Sequence, residues 1–86
     1  MEFEYDDIKS ISNKKKHGID FIEAQKLWNN DNKIIYPARS ETEERYILIS
    51  TIENKHWSAI YTVRNQKVRL ISVRRSRKEE EVLYEG

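Results

Sequence analysis

The sequence predicts a single α+β domain, in which an antiparallel β-sheet packs against two N-terminal helices and is followed by a C-terminal helix. Three observations carry this. Before residue 30, apolar residues recur at helical spacing. From Lys33 to Arg74 the chain is rich in β-branched and aromatic residues interrupted by short polar turns. Beyond that run, Glu79 to Glu81 form an acidic stretch of the kind that favours the positive end of a helix dipole. Eighty-six residues make one domain, residues 1–86, because a chain this short buries only about 60 to 65% of its unfolded surface and cannot divide that between two cores.

Phe3 to Tyr5 reads as a brief strand, and Asp6 and Asp7 can cap the helix behind it. Ile8 and Ile11 mark that helix, which the spacing places at about Asp7 to His17, with Gly18 in the left-handed closing position. Asp20 with Glu23 resembles a capping box, and Phe21, Ala24, Leu27 and Trp28 give one apolar face to a second helix over Phe21 to Asn29. The polar run Asn29 to Asn32 stops it. Lys33 to Tyr36 is a short strand ended by Pro37, Arg45 to Thr51 is a second, and Glu53 to Lys55 is a turn.

Trp57 to Arg64 and Lys67 to Arg74 flank Asn65 and Gln66, a two-residue hairpin turn. Closing it with Arg64 opposite Lys67 pairs Val63 with Val68, Thr62 with Arg69 and Tyr61 with Leu70. One face is then apolar and the other, with Thr62, Arg64, Lys67 and Arg69, basic. Farther from the turn, Ile60 and Ile71 make this second face apolar. Ser76 can cap a last helix whose apolar contacts are Val82 and Leu83.

Net charge is only +1, but its distribution is sorted. Arg64, Lys67, Arg69, Arg74, Arg75, Arg77 and Lys78 follow one another with no acid between them, and Lys14 to Lys16 form a second cluster. The acids stand apart, at Glu2 to Asp7, Glu41 to Glu44 and Glu79 to Glu81. Sorting of this kind suits a polyanion-binding face, the alternative being a solvated charged surface. There is no cysteine, so disulfides, thiolate metal sites and cysteine nucleophiles are excluded, which suits a reducing compartment. The N-terminal segment has no basic stretch followed by an apolar one, and no apolar run approaches a membrane span. A cytoplasmic protein without membrane association is expected.

Phe3-Glu4-Tyr5-Asp6, Asn13, Lys16-His17-Gly18-Ile19 with Phe21 and Ala24, Glu44-Arg45-Tyr46, Tyr61-Thr62-Val63-Arg64, and Arg69 to Arg75 followed by Tyr84 together resemble the BrnT toxins. The resemblance runs in order along nearly the whole chain. Val73 and Ser76 depart from it, since the family usually has alanine at both. It implies a compact RelE-like fold, RNA cleavage that arrests translation, and neutralisation by a BrnA-type antitoxin whose ribbon-helix-helix half binds operator DNA. Contact with DNA would then be only indirect.

Metal-independent RNA cleavage needs a base for the 2′-hydroxyl, an acid for the leaving 5′-oxygen and cations around the phosphate, and it needs no cofactor. Arg64, Arg74 and Arg75 are the candidate phosphate contacts, with Arg74 and Arg75 foremost because they end a rigid strand, the alternative being that this pair is solvated or pairs with Glu79 to Glu81. His17 and Glu44 are the candidate acid-base groups, although His17 can equally be a packing residue and Glu44 merely the start of a strand. Lys16, Tyr61, Lys67, Arg69 and Arg77 are candidate RNA-binding residues, Tyr61 by stacking on a base or, alternatively, as a core residue. His56 stands in a predicted turn without a neighbouring partner. The competing functions are a basic nucleic-acid-binding module that does not cleave, a DNA-binding repressor, opposed by a second helix that looks core-facing, and third a structural or purely interaction role.

Overall fold

The computed structural model describes residues 1–86. Its elements are β1 (Phe3–Glu4), α1 (Asp7–His17), a 3-10 helix (Glu23–Asn29), β2 (Ile34–Ala38), β3 (Arg45–Ile52), β4 (Lys55–Arg64), β5 (Lys67–Arg75) and α2 (Lys78–Glu85). The strands form one sheet in the order β1-β5-β4-β3-β2. Four of them pair antiparallel, but β1 lies parallel to β5, with Phe3 beside Val68 and Glu4 beside Arg69. The sheet is therefore mixed rather than wholly antiparallel. A parallel neighbour requires a long return path, and the chain between β1 and β5 supplies it. No helix is long and apolar enough to cross a membrane.

Both tight turns have positive φ at their two central residues, 52° and 67° at Glu53 and Asn54, and 50° and 67° at Asn65 and Gln66. This is the geometry whose twist matches a hairpin. The β4-β5 register follows the spacing near the turn, with Arg64 opposite Lys67 and Tyr61 opposite Leu70. Beyond it the ladder slips. Ile60 pairs with Ser72, so Ile71 bulges out and does not share a pair with Ile60 as expected. The slip places Val73 opposite Ala59 on the core face and Arg74 opposite Ser58 on the other.

The core lies between one face of the sheet and the segment Ile19 to Trp28. Phe21, Ala24 and Leu27 are fully buried and three residues apart. That spacing matches three residues per turn, and the segment is a 3-10 helix over Glu23–Asn29 rather than an α-helix over Phe21 to Asn29. The capping box forms: Asp20 Oδ1 accepts from the amides of Ile22 and Glu23 at 2.9 and 2.7 Å, and Glu23 accepts from the Asp20 amide at 3.1 Å. β2 runs through Pro37, which pairs with Tyr46, instead of ending at Tyr36. An edge strand tolerates a residue with no N–H.

α1 has the predicted bounds, an Asp6 cap and Gly18 closing at φ 82°. It docks through polar side chains. Asn13 donates to the carbonyls of Ile19 and Val73, both at 2.8 Å, and accepts from the Val73 amide at 3.2 Å, so one side-chain amide replaces a neighbouring strand on the edge of β5. Ser10 Oγ accepts from the Phe21 amide at 2.9 Å. Ile8 and Ile11 point outward, 78% and 60% exposed.

α2 lies on the opposite face of the sheet. Its N-cap is Arg77, not Ser76, because Glu80 reaches back to the Arg77 amide at 2.7 Å while the Ser76 hydroxyl bonds Ser58 at 2.8 Å. Val82 and Leu83 are exposed instead of forming its apolar contacts. Glu80 and Tyr84 hold the helix: Tyr84 accepts from Asn30 at 3.3 Å and packs edge-on to His56, which also contacts Glu85 at 2.6 Å. His56 is thus in β4 and partnered, contrary to expectation.

Asn13→Ala should leave three buried backbone groups without a partner and cost about 3 kcal/mol. For a domain of this size that is a fall of about 15 °C in melting temperature. A fall below about 4 °C would show that these groups are satisfied without the side chain.

Candidate functional site

The face of the sheet not covered by α1 carries one dense polar cluster. Because of the bulge, Arg74 points to this face, where Ser58 from β4 and Glu80 from α2 meet it. Arg74 Nη1 and Nη2 donate to the two oxygens of Glu80 at 2.7 and 3.0 Å. Glu80 Oε1 also accepts from Ser58 Oγ at 3.1 Å and from the Arg77 amide at 2.7 Å. Glu80 is only 8% exposed. Burial pushes its carboxyl up, but the Arg74 guanidinium, the Arg77 amide and Ser58 outweigh burial and hold it down at about 2. Arg74 is correspondingly raised by its hydrogen bonds to Glu80.

Tyr36 of β2 completes the cluster. Burial raises its phenol above the ordinary value and Glu80 raises it further, opposed by Arg74 and Arg77. The phenol is thus a weaker acid than an ordinary tyrosine and stays protonated beside two guanidinium groups, a hydroxyl that can donate a hydrogen bond to a bound anion. Arg74 is a fork with further N–H donors beyond the two engaged by Glu80, and its own carboxylate partner fixes its orientation.

The other predicted residues are dispersed over three surfaces. Arg64, at the hairpin tip, contacts Glu43 at 3.1 Å, and Arg45 approaches the same carboxylate at 3.6 Å. Glu44 lies in the same loop and accepts from the Tyr46 hydroxyl at 2.9 Å. Lys67 meets Glu2 at 3.7 Å and Arg69 meets Glu4 at 3.0 Å. The sorted bases of the hairpin, Arg64, Lys67 and Arg69, are thus paired in space, because β1 lies against β5 and the 41–44 loop against the hairpin. Arg75 is on the opposite face from Arg74; its guanidinium stacks 5.5 Å over the Trp57 ring and donates to the His56 carbonyl at 3.2 Å. Arg74 and Arg75 are neighbours in sequence but not one site.

Lys16 and His17 line a groove between α1 and the β5 edge with Lys9, Ser12, Ile71 and Ser72. Tyr61 is 5% exposed and its ring packs against Trp28 and Tyr46, which leaves no face for a base. It is a core residue. Tyr36 and Ser58 were not singled out from sequence, whereas the pairing of Arg74 with Glu80 realises the alternative reading of that arginine. Tyr36 stands alone before a proline, and the sequence does not say which of the three acids Glu79 to Glu81 would meet Arg74. No three histidine or acidic side chains gather as a metal-ligand set.

The chain falls in a class of ribonuclease toxins: the family model describing the ribonuclease toxin of type II toxin-antitoxin systems matches residues 5–80. That family is BrnT, and this chain belongs to it. Membership implies a cognate antitoxin as partner. A comparison with curated proteins finds no significant match.

The depressed Glu80 carboxyl sets a pH dependence. A group whose folded value lies below its unfolded value stabilises fully above the unfolded value, near 4.5, and loses that contribution as pH falls toward about 2. At about 1.4 kcal/mol per pH unit the difference is about 3 kcal/mol. Urea midpoints measured from pH 6 to 2.5 should fall steeply below 4.5, and Glu80→Gln should flatten that fall while lowering stability at pH 6. An unchanged profile would show that Glu80 does not titrate with folding.

Proposed function

We propose that this chain is a metal-independent endoribonuclease of the cytoplasm that cuts RNA, thereby arresting translation, and is neutralised by a BrnA-type antitoxin, through which alone it reaches operator DNA. Family membership over residues 5–80 carries the reading. The Arg74 cluster supports its chemistry. In such a cleavage the substrate's own 2′-hydroxyl attacks the phosphorus and the 5′-oxygen leaves, so the protein's task is charge and proton management. Arg74, oriented by Glu80, and Arg77 neutralise the phosphate. Tyr36, kept protonated, donates its proton toward the leaving oxygen, and the proton lost by the attacking 2′-hydroxyl passes to water. Glu80 at about 2 stays ionised at neutral pH and holds Arg74 rather than acting as a base.

Arg75, Lys16 and His17, which have no carboxylate partner, extend the phosphate-binding surface away from the centre. Arg64, Lys67, Arg69 and Glu44 serve hairpin architecture in this reading. A binding module that does not cleave loses its main support, since the hairpin bases it would use are already paired.

Purified protein incubated in EDTA with a long single-stranded RNA should give discrete internal cuts ending in cyclic phosphates. Tyr36→Phe should slow cutting about a hundredfold, corresponding to about 3 kcal/mol, with little change in melting temperature. Arg74→Lys should slow it comparably, and Arg64→Ala less than twofold. Parental cutting by folded Tyr36→Phe would remove the phenol from the site, and intact RNA in EDTA with cutting restored by magnesium would overturn metal independence.

A further inference from the structure

The two sides of α1 carry different charge. One borders a cleft in which Asp7 and Asp20 balance Lys14 and Lys15. The other faces the groove against β5, lined by Lys9, Ser12, Lys16 and His17 from the helix and by Ile71 and Ser72 from the strand. Lys9, Ser12 and Lys16 recur at three and four residues, the spacing of one helix face. No acid lines this groove. Lys9, Lys16 and His17 have no carboxylate within 4 Å. Asp6 is engaged by the amides of Ile8 and Lys9 at 2.8 and 3.2 Å, and Glu4, on the strand beside β5, by Arg69 at 3.0 Å.

The bulge in β5 joins this groove to the Arg74 cluster. Ile60 pairs with Ser72 and Ser58 with Arg74, so Ser72 and Arg74 share one face of the strand while buried Val73 takes the other. Two residues along a strand are about 6.6 Å apart, a separation that one nucleotide of extended RNA bridges. Ser72 thus belongs both to the face of Arg74 and to the groove. The groove measures about 170 Å³, whereas pockets that enclose a small organic ligand begin at roughly 300 Å³. It has room for a phosphate group but not for a base with its sugar.

We propose that this groove is a second phosphate subsite, which takes the RNA phosphate next to the scissile one and so makes the preferred substrate a polynucleotide rather than an isolated phosphodiester. Such a role rests on the ribonuclease reading and adds a requirement on the substrate. Lys9 and Lys16 supply point charges and the Ser12 and Ser72 hydroxyls supply hydrogen bonds, as at other sugar-phosphate contacts. The dipole of α1 disfavours an anion in its last turn, beside Gly18. The phosphate therefore sits nearer Lys9 and Ser12, and Lys16 leans back toward it, as side chains on a helix lean toward the N-terminus. RNA is favoured over an acidic protein segment because Ser72 continues the surface on which the scissile phosphate lies.

A 2′-O-methyl strand with a single ribose, built around a cut site mapped in the long RNA, confines cutting to one phosphate. Each neighbouring phosphate is then made neutral in turn as a methylphosphonate. For the parent, kcat/KM should fall about tenfold when one neighbour is neutral and less than about twofold for the other. Lys9→Gln with Lys16→Gln should lose about tenfold on the charged strand and less than about twofold more on the neutral one, because both changes remove the same contact. Lys15→Gln, which removes a charge from the opposite cleft, should retain the full effect of neutralisation. Melting temperatures should stay within about 3 °C of the parent. Losses that multiply in the folded double variant would overturn the subsite. So would parental cutting of every strand by that variant, and if it had also lost a BrnA-type antitoxin the groove would belong to an acidic protein segment. A parent that cuts the charged strand and is indifferent to both neighbours would overturn the subsite alone, whereas one that leaves even unmodified RNA intact would overturn the ribonuclease reading beneath it.

Discussion

The bulge at Ile71 decides where every later residue of β5 falls. Side chains alternate along a strand, so a single skipped residue exchanges the two faces for all that follow. Without the slip, Val73 would face α2 and Arg74 would take the place over Trp57 that Arg75 now holds, on the face away from Glu80. With it, Val73 is fully buried opposite Ala59, and Arg74 reaches Glu80 and Ser58. Asn13 closes on the backbone of the same Val73. The position of α1, the seat of α2 and the orientation of the polar cluster all follow from that one irregularity in the ladder.

The same irregularity separates what the sequence reveals from what it hides. The hairpin register near Asn65 and Gln66 is legible because turn length sets pairing over the first few residues. The bounds of α1 are legible because Asp6 and Gly18 act locally. The bulge has no such local mark: Leu70, Ile71, Ser72 and Val73 read as an uninterrupted strand, and only the competition between core and second face decides that Ile71 is skipped. The type of the second helix is hidden for a related reason, since Phe21, Ala24 and Leu27 fit an α-helix and a 3-10 helix alike until the sheet beneath them selects the tighter turn.

Charge shows how far linear order can mislead. A run of seven bases without an acid suggests an open cationic face, yet Glu2 and Glu4 arrive beside Lys67 and Arg69 through the parallel pairing of β1. Exposed pairs of this kind add little stability, but they lower the local potential. Of the candidate site, Arg74 was legible from its place at the end of a strand. Tyr36 was not, because it comes from a distant strand and meets Arg74 only in the folded sheet, and Glu80 was legible only as one of three acids that could pair with that arginine.

The sequence distances bridged by these contacts also order the molecule in time. Phe3 pairs with Val68, and Asn13 bonds Val73 across 60 residues. Closing such long loops is entropically costly until the distant strand exists to reward it. During synthesis the β2-β3-β4 meander can form from neighbours alone, whereas β1 and α1 have no edge to dock on until β5 has emerged. Arg74 then gains its carboxylate only when Glu80 follows. The nascent chain therefore remains without its polar cluster until α2 has been made.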